Sequence, residues 1–167
     1  MESIFFLVVA AVAVLSSILV VTCKNPINSA LSLVMTFFCL ATFYVMLDAP
    51  FLAATQVIVY AGAIMVLIIF VIMLLNVKAE SGKRGAHAKT AGSVIGLFVL
   101  FQTVWFLMRG SMTGARGTID KAQIVSYGHV ELIGRELFTT FLLPFEITSL
   151  LLLAAIVGAV ILAKKKI

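Results

Sequence analysis

Few side chains in this sequence can handle a proton inside an apolar surrounding, and they fall in two stretches. One is TQVIVYAGAIMVLIIFVIMLLN, Thr55 to Asn76, where Gln56, Tyr60 and Gly62 interrupt an otherwise aliphatic run. The other is PFEITSLLLLAAIVGAVILA, where Glu146 follows Pro144 by two residues and Ser149 stands one turn further on. A carboxyl group taken out of water is harder to ionise, so it can change charge near neutral pH, which is what a proton relay needs. Glu146 equally suits the start of a helix, where free backbone N–H groups and the helix dipole favour an anion. The phenol of Tyr60 is a poor proton carrier at neutral pH, but its hydroxyl both donates and accepts. At helical spacing Gln56 and Tyr60 are i and i+4, and Ala63 continues their face. Gly62 removes a side chain where backbone or water can come close, although a tyrosine and a glycine in an apolar helix also serve plain packing.

No other residue pattern supplies a reaction centre. There is no glycine-rich phosphate loop, nucleophile elbow, HExxH or paired carboxylates, so no catalytic residue is expected in this chain. Cys23 and Cys39 lack a CxxC spacing or a histidine cluster, and read as packing residues rather than a disulfide, metal or iron–sulfur site. His87 and His129 fall in stretches read as loops, which leaves no axial haem ligand within a span.

The elements that position Tyr60 and Glu146 are membrane spans. Of 167 residues, 63% are hydrophobic and 11% charged, with a mean hydropathy of +1.22. No water-soluble core hides that much apolar surface, and runs of about 18 residues or more are long enough to cross roughly 30 Å of hydrocarbon as helices. The expected fold is all-α and polytopic, a single membrane domain over 1–167 with spans at about 3–22, 28–47, 51–75, 91–108 and 141–163. The breaks are chemical: Lys24-Asn25-Pro26, Asp48-Ala49-Pro50 and the polar stretch from Asn76 to Lys89. Residues 109–140 form the one sizeable loop, with a mixed stretch through Tyr127, His129 and Arg135 that suits a short surface helix. The first run has no basic leader and carries Glu2 ahead of it, so it reads as a retained helix rather than a cleaved signal. If the third span begins near Phe51, Tyr60 lies roughly 13 to 14 Å deep, close to the midplane. Small or weakly polar residues recur at helical spacing, namely Asn28, Ser32, Thr36 and Cys39, then Gly92 and Gly96, then Ala154 and Gly158. They suit close helix–helix approach, with partners in this chain or in others.

The net charge of +5 does not point to nucleic acid, because the cations sit between apolar runs, where they set topology. With five spans, Lys24, Lys78, Lys83, Arg84, Lys89 and Lys164 to Lys166 share one side. Arg109, Arg116, Lys121 and Arg135 occupy the long loop on the other, together with Glu2, Asp48, Asp120, Glu131 and Glu136. The expected orientation is amino terminus outside and carboxyl terminus in the cytoplasm.

The third span resembles a known family. VIVYAGAIMVLIIFVIMLLN, above all its core Val59 to Leu67, is similar to the third helix of the subunit J family of proton-pumping NADH:quinone oxidoreductase, respiratory complex I, which includes mitochondrial ND subunit six. KNPINSALSLV, Lys24 to Val34, and FEITSLLLLAAIVGAVILAKK, Phe145 to Lys165, agree with that family, while the fourth span and the 109–140 loop match only in kind. The resemblance implies a membrane-arm subunit with no cofactor of its own, packed against the quinone-site subunit and adjacent small subunits in the lipid bilayer. NADH, FMN, iron–sulfur clusters and quinone are implied in those partners, and a bacterial inner membrane as the location. It further implies a π-bulge around Tyr60 and Gly62 and a part for the subunit in coupling quinone reduction to proton movement; Glu146 joins them as a candidate from its place within a span. Two other readings of the architecture are a component of a multisubunit cation/proton antiporter, which would transport without an electron donor, and a purely structural scaffold, which would tolerate loss of the Tyr60 hydroxyl and the Glu146 charge.

Overall fold

A computed structural model describes residues 1–75, 86–109, 124 and 126–164, with side chains from 92 onward in the second of these segments. Six helices can be followed in them: α1 (Glu2–Thr22), α2 (Pro26–Met46), α3 (Pro50–Leu75), α4 (Ala86–Arg109), α5 (His129–Phe138) and α6 (Leu142–Ala163). Five of them, all but α5, are long and apolar enough to cross a membrane. The chain is thus an all-helical, multi-pass membrane protein.

Local chemistry explains the breaks. After α1 the backbone turns extended at Cys23, and Asn25 then caps α2, its side-chain oxygen accepting from the Ile27 amide at 2.9 Å with Pro26 in the first turn. Proline needs no amide partner there, and Asn at the cap satisfies one of the orphan donors, so α2 starts two residues earlier than the hydropathy run suggests. The Ser29 hydroxyl donates to the Val20 carbonyl and ties the α1–α2 hairpin side to side.

At the other end of α2 the amide of Asp48 donates to Val45 (3.1 Å) and that of Ala49 to Tyr44 (2.9 Å), the paired bonds of a Schellman stop. Asp48 sits at φ 56°, the left-handed conformation that such a stop requires of its last residue. Pro50 then opens α3.

Helices α1 and α3 both rest on α2, and α5 packs against α6 and the first turn of α3. The ring of Phe138 meets that of Phe145 at 4.9 Å, which fixes α5 to the start of α6. Among the described residues α4 touches no other helix and α6 touches only α5. The small residues of those two spans stand open: a Cβ added at Gly92, Gly96 or Gly158 meets nothing within 4 Å.

One expectation changes: His87 and Lys89 lie in the first turn or so of α4 and His129 opens α5, so neither histidine is in a loop; both remain outside the spanning segments. The stretch of 109–140 that suits a short helix forms α5, one face apolar (Leu132, Ile133, Leu137) and the other carrying Glu131 and Arg135. The basic residues Lys78, Lys83, Arg84, Arg116, Lys121, Lys165 and Lys166, with Asp120, lie outside the described residues.

Candidate functional site

The third span is not one regular helix. Its first turn, Pro50–Thr55, and its last half, Met65–Leu75, are α-helical, and between them Gln56–Ile64 has π geometry. The amide of Met65 donates to the carbonyl of Tyr60, five residues back. A π turn holds one residue more than an α turn, so every side chain beyond it is rotated relative to those before.

The buried line of α3 records that rotation. It runs Ala53, Gln56, Ala61, Met65, with a step of five in place of the usual three or four between Gln56 and Ala61. Met65 is the most enclosed of the described residues, at 2% exposure. Tyr60, which a regular helix would set on the face of Gln56, is turned aside and 47% exposed, its ring edge-on to Phe37 of α2 at 5.9 Å. Ala63 is exposed as well. The face Gln56–Tyr60–Ala63 expected from α spacing is therefore not formed, because the extra residue gives Tyr60's place to Ala61.

Gly62 has a steric reason to be glycine. A Cβ there would stand 3.2 Å from the Val57 carbonyl oxygen, the oxygen five residues back. That contact exists only because the π turn brings that carbonyl under residue 62. A side chain at this position presses on the π turn itself.

The polar residues of α2 turn inward on their own helix. The Ser32 hydroxyl donates to the Asn28 carbonyl (2.9 Å) and that of Thr36 to Ser32 (3.1 Å), so neither offers a free donor across the interface, while Cys39 is buried as a free thiol. Opposite this helix, Gln56 is 8% exposed, and no side-chain hydrogen bond reaches it among the described residues.

Glu146 is the fifth residue of α6 and exposed, one turn past Phe141. No side chain caps α6, and among the described residues no hydrogen bond reaches the Glu146 carboxylate; its carbonyl accepts the Ser149 hydroxyl at 2.7 Å. The capping alternative therefore has no hydrogen bond behind it. Because among the described residues α6 packs only on α5, Glu146 is not brought to Tyr60 and Gly62. The three candidates form two separate places.

No group of three or more His, Cys, Asp or Glu is arranged to hold a metal among the described residues. The site thus consists of a π turn in an apolar helix, a phenol beside it and a remote carboxylate. Sequence spacing missed Phe37 and Ala61, since both become relevant only once the π turn sets the rotation of α3.

Comparison with known proteins matches residues 16–162 to the model of the NADH-ubiquinone/plastoquinone oxidoreductase chain 6 family. The chloroplast NAD(P)H-quinone oxidoreductase subunit 6 of Staurastrum punctulatum is 42% identical over 144 residues, covering 84% of this chain and 78% of the relative. NAD(P)H-quinone oxidoreductase chain 6 of Synechocystis sp. is 34% identical, over 98% of this chain and 81% of the relative. For the chloroplast subunit 6 of Zygnema circumcarinatum the identity is 36%, over 98% and 93%.

Proposed function

This chain belongs to the NADH-ubiquinone/plastoquinone oxidoreductase chain 6 family, and from that premise we propose that it couples quinone reduction to proton translocation through a change of register in α3. It is a membrane-arm subunit of a quinone oxidoreductase complex and carries no reaction centre itself. Flavin, iron–sulfur clusters and the quinone site belong to partner subunits, and this chain's work is mechanical and electrostatic.

The observation that carries the reading is the π segment Gln56–Ile64, which holds Tyr60 away from the buried face of its own helix. A π turn can revert to α geometry by passing its extra residue along, and reversal swings Tyr60 and its neighbours together. Its hydroxyl then orders or interrupts a chain of water near the midplane. Gly62 keeps the π register accessible, and a difference of about 1.4 kcal/mol between registers changes their ratio tenfold. Glu146, with no partner for its charge among the described residues, serves proton handling where α6 meets another subunit.

The partners are other membrane-arm subunits, among them the quinone-site subunit and adjacent small subunits. In support, the spanning windows of α4 and α6 are 0% buried within the chain, and their glycines lie open to helix contact. The location read here is a bacterial inner membrane, and the distribution of basic residues supports an amino terminus outside; relatives named as chloroplastic show that the family extends beyond bacteria.

The test is a map of the intact complex that resolves backbone carbonyls, with and without reducing substrate. The reading expects α3 to be π over 56–64 in one state and continuous α in another. A π turn unchanged through turnover removes the gate.

A further inference from the structure

The proposed function leaves one buried group unused. Gln56 is the first residue of the π segment and one of two buried polar residues of the described chain, the other being Ser16. A primary amide carries two donors and an acceptor, and apolar surroundings make each costly to leave unpaired. Gln56 nonetheless has no side-chain hydrogen bond among the described residues, although it is 8% exposed. Among the described residues no fully shielded side-chain nitrogen or oxygen lacks a partner, so the small exposed part of Gln56 includes its amide. A water molecule can therefore reach this amide and serve as its partner at the α2–α3 seam.

The register supplies the second half of the argument. In the π state Ala61, which has nothing to offer an amide, occupies the buried face beyond Gln56. In a regular α-helix that place falls to residue 60, four on from Gln56. Long side chains on a helix lean toward its amino terminus, so the Tyr60 phenol would then lie back over the turn of Gln56.

We propose that Gln56 is the positioning residue of the α3 gate: its carboxamide holds a water molecule while the π turn keeps Tyr60 aside, and takes the Tyr60 hydroxyl as partner when α3 becomes regular. The proposal rests on the gate reading above. It adds that the two registers differ by an exchange of partners at one amide, which lets hydration of the α2–α3 seam and the rotation of Tyr60 change together.

The test uses the intact complex in membranes. Gln56→Leu, with Gln56→Met as a second variant of matching length should the first fail to assemble, is compared with Tyr60→Phe and with the double variant. The expected result is normal assembly and quinone reduction, with protons moved per electron lowered by at least about threefold, as one lost hydrogen bond allows. The double variant should be no worse than Tyr60→Phe alone, because both remove the same pair. Wild-type maps should show density for a water at hydrogen-bonding distance from the amide in the π state and the Tyr60 oxygen there in the α state. Multiplying losses, or an amide bonded to another subunit in both states, would overturn the proposal. Normal pumping by Gln56→Leu beside an impaired Tyr60→Phe sinks this proposal alone. Normal pumping by Tyr60→Phe sinks the gate reading, and this one with it.

Discussion

The Met65 amide donates to the Tyr60 carbonyl across five residues, and this bond decides which side chains of α3 face α2. With it in place Met65 is enclosed and Tyr60 is half out of the helix pair. Changes that weaken or replace this bond are therefore expected to act on coupling before they act on assembly.

Gly62→Ala puts a Cβ 3.2 Å from the Val57 carbonyl oxygen, close enough that this carbonyl must shift by a few tenths of an ångström. That shift opposes the π register. The variant should assemble, show α3 as a continuous α-helix in most particles, and pump less per quinone reduced. Gly62→Leu should do the same more strongly and slow quinone reduction as well. Unchanged π geometry with normal pumping would argue that Gly62 is only a packing residue.

Tyr60→Phe keeps the ring against Phe37 and removes only the hydroxyl. Assembly and quinone reduction should stay near normal while protons moved per electron fall, by about threefold if one hydrogen bond is at stake. Proton uptake by inverted vesicles, measured beside the rate of quinone reduction, separates the two quantities.

For Glu146→Gln the absence of a capping bond on α6 sets the expected direction. The amount of assembled complex should be retained and pumping should drop, since charge rather than a helix cap is lost. A reduced yield with normal pumping in the surviving complexes would return Glu146 to a structural role.

Asp48 holds a left-handed turn at φ 56°. Glycine there should be neutral or stabilising, whereas Asp48→Val should cost about 1–2 kcal/mol because a β-branched side chain resists that conformation. Thermal inactivation of the complex orders the two variants, and equal stability would mean that the α2–α3 stop carries no strain.

Orientation is checked by labelling. Cysteines introduced in 109–140 should react with impermeant reagents from outside, and those at 82–86 or in the tail only from the cytoplasmic side. The opposite pattern inverts the membrane orientation without altering the helix order.

The one-dimensional pattern of the chain was enough to determine that it has five spans and that Asn25-Pro26 and Ala49-Pro50 separate the first three. Hydropathy and proline act locally, so they survive in the sequence. Residues such as Val59 to Leu67 also carried the family resemblance. What spacing alone assigned wrongly was the face of α3: i and i+4 join Gln56 to Tyr60 only if every turn has the α repeat. Whether a turn closes on the fourth or the fifth residue depends on what α2 presents opposite, here Phe37 against Tyr60, and on the room that Gly62 leaves above the Val57 carbonyl. The open faces of α4 and α6 had the same origin. Small residues mark a helix as ready to pack, but only the arrangement of neighbours in three dimensions decides against what, because lipid gives the helices no common core to seek.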